Sequence, residues 1–476
     1  MSFNYNKIEE HCGIIGISCN DFSYSVANSI YTGLMAIQHR GQLFSGISTT
    51  NCDGKITTHK DFGLVSNVFK VKKIKFFSGN VGIGHVAYGS LENSNIDNAQ
   101  PYYHKSDLVE FSLALNGTIT NFNEIKERLI NMGNVFISNS DVELIATTIE
   151  TFFRSSESML EALKLLMNIV KGALCLVLLT NEGELYVMRD PIGYKPLCYG
   201  IHEEENRKFF IVSSESCAID AMEGILKGDI KPGEIVNFHP LNGINKYNII
   251  SRENHGICQY EFVYFARPDS IINGVSIADV RYRLGINLAQ SDLKFNPDNT
   301  IVVPVPDSGR SAAMGYAWES KIPYQEGLMK NRYLWQIKSD PNEKLNPVKP
   351  IVEGKEVILV DDSMISGVTM KKIILMLRKA GAVAIHVRIA CPPIVNSCQI
   401  NSSFSNKELL IAYQKKKFNR KDLVDEICND IQANSLKFQT NGNLIKSIGL
   451  KKKFVCYACV EDKILKKEKK VIELIQ

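Results

Sequence analysis

The residues most able to do chemistry fall at the two ends of the chain. Cys12 heads the run Gly13-Ile14-Ile15-Gly16-Ile17, an apolar strand flanked by glycines. A thiolate there is a competent nucleophile when a base lies within reach; a small apolar residue at a strand edge is the structural alternative. Far along the chain, Val360-Asp361-Asp362-Ser363-Met364-Ile365-Ser366-Gly367-Val368-Thr369 follows an apolar strand and opens a helix. Backbone N–H groups at such a helix start hold phosphate, although acidic strand ends are also common without a ligand. Near the C-terminus, Cys456-Tyr457-Ala458-Cys459 is a CxxC, the spacing of a metal-ligand pair.

The chain that must position these residues has 476 of them, ample for two domains with separate cores. Hydrophobic residues make up 45% and charged residues 22%, an ordinary globular composition. A net charge of +4 gives no reason to expect nucleic acid or a membrane surface as partner. No apolar run has the length of a membrane span, and the opening MSFNYNKIEEH lacks an apolar signal core. A cytoplasmic protein is therefore expected. Its 12 cysteines then read as free thiols, a nucleophile or metal ligands rather than disulfides.

Apolar runs at 13–17, 81–85, 173–179 and 184–188 predict strands, and helical spacing covers 123–132, 142–153 and 159–170. Strands and helices in blocks suggest a layered α+β domain. From about residue 260 the pattern changes. Continuous apolar runs at 300–305, 356–360 and 383–390 read as central parallel strands, and a helix over 369–378 ends near Gly381. Such a doubly wound domain binds ligands at the carboxyl ends of its strands.

Several motifs, taken in order, resemble one family. His11-Cys12-Gly13 is similar to the start of the N-terminal-nucleophile glutamine amidotransferases. Gln38-His39-Arg40-Gly41-Gln42, Gly82-Ile83-Gly84-His85 with Gln100-Pro101, and Leu115-Asn116-Gly117 with Asn121 resemble its further segments, as do Ser140-Asp141-Val142-Glu143, Arg189-Asp190-Pro191 and Ser214-Glu215-Ser216. Val305-Pro306-Asp307-Ser308-Gly309, Glu326-Gly327-Leu328, Lys330-Asn331-Arg332-Tyr333 and the Asp361-Asp362 stretch resemble a phosphoribosyltransferase that binds phosphoribosyl pyrophosphate (PRPP). Together they resemble the amidophosphoribosyltransferase family, in its iron–sulfur branch with a cleaved leader.

The resemblance implies an α+β N-terminal-nucleophile amidotransferase domain of layered αββα type over residues 12–245, after a leader of residues 1–11. It implies an α/β type I phosphoribosyltransferase domain over residues 246–476. Cys12 would be the nucleophile with its freed α-amine as base, Asn116 and Gly117 the oxyanion hole, and Asp141 the partner of the glutamine α-amino group. Ser308, Gly309, Asp361, Asp362, Ser363, Gly367 and Thr369 would bind PRPP, with Ser308, Asp361 and Asp362 beside Mg²⁺. Cys258, Cys398, Cys456 and Cys459 would hold a 4Fe–4S cluster, with zinc as the chemical alternative. Small-molecule substrates and a homo-oligomer complete the expectation; Cys19, Cys52, Cys175, Cys198, Cys217 and Cys428 read as ordinary buried residues.

The chain departs from the family at substrate-gripping positions. Ala87 stands where the family carries an Arg that pairs with the glutamine α-carboxylate, and Leu43-Phe44 replaces an acidic-then-small pair. Val142 replaces a hydroxyl residue, Lys195 an Arg, Ser366 an Arg and Val368 a Thr. The segment after Tyr333 is shorter than the family's closing loop. These departures leave two alternatives open beside the glutamine and PRPP reaction. One is a diverged paralogue using Cys12 for amide cleavage or acyl transfer on another substrate. The other is a non-catalytic homologue that binds phosphosugars or nucleotides.

Overall fold

The structure is a computed structural model describing residues 12–51, 53–88, 95–251, 253, 255–331, 345–398, 400, 406–415 and 420–461. The expected leader, Arg332 and Tyr333 with the segment after them, Cys52 and the basic tail from residue 462 lie outside the described residues. The chain folds as two compact units. The first runs to Cys258 and includes Asp269–Gly274; the second takes Gln259–Pro268, Val275–Cys398 and most of the chain after it.

The first unit is built on two sheets. One has seven strands in the order β11 (Ile225–Asp229), β9 (Cys198–Glu204), β10 (Arg207–Ser213), β1 (Gly13–Cys19), β4 (Val81–Ala87), β2 (Phe44–Thr50) and β3 (Ile56–Phe62). The other has six, in the order β13 (Gly243–Asn248), β12 (Glu234–His239), β8 (Leu185–Arg189), β7 (Gly172–Thr180), β6 (Glu110–Ile119) and β5 (Tyr102–Lys105). Ile14, Val81 and Ile83 of the first sheet share one core with Ala114, Val177 and Leu185 of the second, so the sheets pack face to face. The Ala27–Ala36 helix covers the outer face of the seven-stranded sheet, and the helices Asp141–Ser156 and Met159–Ile169 cover the other. This is the expected αββα layering.

The reason for the layering lies in strands buried on both faces. Both faces of β1 and β7 are buried, which is why these strands read as unbroken apolar runs. The Asp141–Ser156 helix begins where the Ser140 hydroxyl accepts from the Glu143 N–H, while the Glu143 carboxylate accepts from the N–H groups of Ile137 and Ser138. Its buried face runs from Val142 to Ile149.

The second unit centres on a parallel sheet ordered Thr300–Pro304, Glu356–Asp361, Ala384–Ile389, Ser435–Phe438. The Val368–Lys379 helix follows the second of these strands, and Gly381 just beyond it takes φ 101°, which favours glycine. The Ile277–Gln290 helix packs closely on Arg310–Ser320: a Cβ on Gly285 would meet the Ala312 carbonyl oxygen at 1.8 Å.

Candidate functional site

In the first unit, β1 carries the candidate nucleophile. Cys12 is half-buried and packs against a small apolar cluster of Leu43, Phe44, Ala87 and Ala99. Its strand is fixed from behind. The Ile14 N–H donates to the Ser214 hydroxyl at 3.0 Å, and the Ser214 N–H returns to the Ile14 carbonyl at 3.1 Å. Arg40 donates from Nε to the Cys12 carbonyl at 3.4 Å and from Nη1 to Glu215 Oε1 at 2.6 Å. Glu215 also accepts from Ser270 at 2.7 Å and lies 2.7 Å from His39 Nε2. Burial opposes the Glu215 charge, but His39, Arg40 and Ser270 outweigh it and hold the carboxyl far below its ordinary range.

The Gln38–Gln42 segment is seated by close packing. A Cβ on Gly41 would meet the carbonyl carbon of Ala87 at 2.4 Å, so only glycine lets this turn lie on β4. Gln38 ties the segment down by accepting from the Val65 N–H at 2.7 Å.

The candidate oxyanion hole lies on β6. The Gln100 side-chain oxygen accepts from the Leu115 N–H at 2.7 Å, fixing the strand one residue before Asn116. Asn116 is 1% exposed, and its Nδ2 has no hydrogen-bond partner among the described residues. A buried amide without a partner costs stability, and a developing oxyanion is the kind of acceptor it lacks. Gly117 follows where a Cβ would lie 1.9 Å from the Ala173 carbonyl oxygen. Two residues on, the Ile119 N–H donates to Asp141 Oδ2 at 3.1 Å, so β6 orients Asn116, Gly117 and Asp141 together.

Other motifs of this unit are structural. Asn121 bonds the Ile169 carbonyl and the Lys171 N–H. Arg189 holds the Ile230 and Gly193 carbonyls, while Asp190 accepts from the N–H groups of Leu174, Ile192 and Gly193.

In the second unit the carboxyl ends of the Thr300–Pro304 and Glu356–Asp361 strands lie side by side. The Val305 N–H donates to the Val360 carbonyl at 2.9 Å, and a Cβ on Gly309 would meet that same oxygen at 2.5 Å. Ser308 hydrogen-bonds Asp362, Ser363 donates to Asp362, and the Tyr260 hydroxyl lies 2.6 Å from the Ser363 hydroxyl. Burial, and then the neighbouring Asp362 carboxylate, push Asp361 well above the carboxylate range; burial raises Asp362 as well. Two destabilised carboxylates side by side are the donor chemistry a divalent cation relieves. Gly367 takes φ 73° at the start of the helix, with Thr369 exposed in its first turn. Lys330 reaches Asp307 at 2.9 Å beside the Val305–Gly309 loop.

Arg281 and Tyr260 were not singled out from the sequence. Arg281 is buried, donates to the carbonyls of Phe262 and Ala266, and lowers Asp362 by its charge. It looks like any surface helix cation in the sequence, and only the apolar positions around it at Val280 and Leu284 hint that it faces inward.

The cysteines divide. Cys398, Cys456 and Cys459 fall in the second unit and Cys258 ends the first, each half-buried. The N–H groups of Val395 and Asn396 both donate to the Cys459 carbonyl, and the Cys398 thiol is near enough to Cys456 to raise it, after burial. Among the described residues, no three His, Cys, Asp or Glu side chains are grouped to hold a metal ion. Cys19, Cys175, Cys198 and Cys217 are buried as expected; Cys428 is half-exposed, near the C-terminal end of the Arg420–Ile431 helix.

Fold and site together define a cysteine amidotransferase domain followed by a phosphoribosyltransferase domain. A glutamine amidotransferase domain family matches residues 91–221 and a phosphoribosyl transferase domain family matches residues 283–419. The amidophosphoribosyltransferase of Methanocaldococcus jannaschii is 39% identical over 480 residues, covering 95% of this chain and 97% of that protein. That of Bacillus subtilis is 35% identical, covering 93% of this chain and 91% of that protein. The solved B. subtilis glutamine PRPP amidotransferase, complexed with ADP and GMP, superposes with a TM-score of 0.84 at 35% identity, covering 94% of this chain and 96% of that one. The chain belongs to the amidophosphoribosyltransferase family, and the two alternatives left open by the sequence are not favoured. Among the described residues no helix is long and apolar enough to cross a membrane.

Proposed function

We propose that this protein releases ammonia from glutamine at Cys12 and transfers it to PRPP, giving phosphoribosylamine and pyrophosphate for purine biosynthesis in the cytoplasm. What carries the reading for the first domain is the buried Asn116 Nδ2, which has no hydrogen-bond partner among the described residues and lies on the strand that also presents Gly117 and bonds Asp141. The Cys12 thiolate attacks the amide carbon, with the α-amine freed by leader removal taking the thiol proton. Asn116 Nδ2 and the Gly117 N–H meet the oxyanion, and Asp141 holds the α-ammonium group. Collapse expels ammonia and leaves a thioester, which water opens to glutamate and free Cys12.

In the second domain, the Ser308–Gly309 turn and the helix start at Gly367 and Thr369 offer N–H and hydroxyl groups to the phosphates. Asp361, Asp362 and Ser308 would hold Mg²⁺, which supplies charge neutralisation for the departing pyrophosphate. Asp361, Asp362 and Ser363 would also hold the ribose hydroxyls. Ammonia then attacks C1 of the ribose as pyrophosphate leaves.

On the family resemblance, Cys258, Cys398, Cys456 and Cys459 would be donors for a 4Fe–4S cluster, with zinc as the chemical alternative. The nearness of Cys398 to Cys456 and the pinning of Cys459 support that chemistry for the second unit. A homo-oligomer is part of the same reading, on family resemblance. The test is to incubate the purified protein with glutamine, with and without PRPP and Mg²⁺, and to measure glutamate and pyrophosphate. Both should appear, and both should be lost in Cys12→Ala; glutamate without pyrophosphate would instead favour the paralogue. Mass spectrometry should find Cys12 at the mature N-terminus, and retention of Met1 or Ser2 would sink the nucleophile assignment.

A further inference from the structure

The wall beside Cys12 can be followed residue by residue across its sheet. Gly13 pairs with Val86, so Cys12 stands beside Ala87 at the strand ends. Ala87 pairs with Phe44, and Phe44 pairs with Phe62, its ring 4.6 Å away. Directly paired residues share a face, so Ala87, Phe44 and Phe62 form one apolar row. Leu43, Phe44, Ala87 and Ala99 make the cluster on which Cys12 packs, and Ile96 lies against the same cluster. None of these side chains is ionisable.

Two cations near this wall, among the described residues, have other partners. Arg40 is joined to Glu215 and the Cys12 carbonyl. Lys60 stands in the next row, with His85 and Gly46. Its ammonium donates to the Ala99 carbonyl and lies 5.8 Å from the Tyr102 ring centre. A carboxylate laid on an apolar surface loses water and gains no ionic partner, so it would turn to solvent and add little binding.

From this arrangement we infer that the Cys12 site selects its ammonia donor by the amide and by the amino group that meets Asp141, with no ionic contact from the floor to an α-carboxylate. The donor class is then short ω-amino primary amides, of which glutamine is one and its carboxylate-free counterpart, 4-aminobutanamide, another. Each reacts with the same balance: the amide C–N bond breaks to release ammonia, a thioester forms on Cys12, and water converts it to the free acid. The inference rests on the donor reading proposed above.

Ammonia release from glutamine, 4-aminobutanamide and glutaramic acid, the analogue lacking the amine, tests it on the intact protein. The expected kcat/KM for 4-aminobutanamide lies within about 10-fold of that for glutamine, with glutaramic acid at least about 10-fold poorer than either; one such step equals about 1.4 kcal/mol. Ala87→Arg should raise kcat/KM for glutamine about 10-fold or more relative to that for 4-aminobutanamide. The wild-type comparison stands even where that variant fails to fold. Preference for glutamine over 4-aminobutanamide beyond about 100-fold would overturn the inference and leave the donor reading intact. Collapse of that preference in Lys60→Gln would then place the ionic contact at Lys60. Release from none of the three amides would overturn the donor reading and this inference with it.

Discussion

Arg40 and Glu215 form an ion pair with 2.6 Å between Nη1 and Oε1, their side chains 1% and 0% exposed. Because Arg40 Nε also reaches the Cys12 carbonyl, the pair is tied to the backbone of the candidate nucleophile. Breaking a buried pair by removing one charge leaves the other uncompensated, at a cost of roughly 3–5 kcal/mol. Glu215→Gln is therefore expected to lower the melting temperature by at least about 6 °C and to reduce glutamate release. His39 is 30% exposed and shares the same carboxylate, so His39→Gln should do far less. Differential scanning calorimetry beside a glutaminase assay checks both, and equal effects from the two variants would refute the assignment.

Asn116 leads to the opposite balance of stability and rate. Its buried Nδ2 makes no hydrogen bond among the described residues, so truncation forfeits none at that atom. Asn116→Ala should leave the melting temperature within about 2 °C while lowering kcat for glutamate release by roughly 10²–10³-fold, with KM little changed. A stability loss as large as the activity loss would make Asn116 a packing residue instead.

Much of this arrangement was legible in the chain because the core strands are apolar on both faces. Runs such as 173–179 announce themselves at any reading, and the observed Gly172–Thr180 strand departs from that run by one residue at each end. Strands β2 and β3 were not read. Ser45, Ser48, Thr49 and Thr50 are buried in β2, yet they are polar, and the hydroxyl bonds of Ser45, Ser48 and Thr49 to residues distant in sequence cannot be foreseen from composition. The same limit hides Arg281 and Tyr260: a buried polar side chain is defined by partners distant in sequence. Motif order picks out Cys12, Asn116 and Asp141 as candidates, but it does not separate them from Arg189 and Asp190, whose bonds serve a turn.

His85 sets an acid limit on the first unit. It is fully buried on β4, and that burial, partly opposed by the Leu115 backbone, pushes it down from 6.5 to about 3. The folded state thus holds a neutral imidazole, while the unfolded chain takes up a proton below the ordinary value. Stability is complete above about pH 6.5 and declines as pH falls toward 3, by up to about 1.4 kcal/mol per unit. His85→Asn removes that titration, so its melting temperature should fall less steeply between pH 6.5 and 4.5 than the parent's, whatever its value at pH 7.5. Parallel curves for the two proteins would show that other groups set the acid limit.

Asp361 carries the opposite sign. Burial and the Asp362 carboxylate raise it, so the folded state holds its proton more tightly than the unfolded chain. The penalty is absent below the ordinary 3.8 and grows as pH rises toward the folded value, and a bound cation relieves it. Asp361→Asn should accordingly raise the melting temperature at pH 7.5 by a few degrees, an advantage that vanishes in acid. In the parent protein Mg²⁺ with PRPP should supply a comparable stabilisation by binding only the folded state, and the variant should gain little from it. Pyrophosphate release should drop by about 100-fold or more in the variant while glutamate release in the first domain persists. Asp362→Asn is the informative contrast, because Ser308, Ser363 and Arg281 all act on that carboxylate. Losing its charge removes the attraction between Asp362 and the buried Arg281 and weakens the bonds from Ser308 and Ser363, so this variant should be destabilised rather than stabilised. Thermal melts of the two variants, with and without PRPP and Mg²⁺, separate these outcomes, and stabilisation by both substitutions would show that Arg281 draws nothing from Asp362.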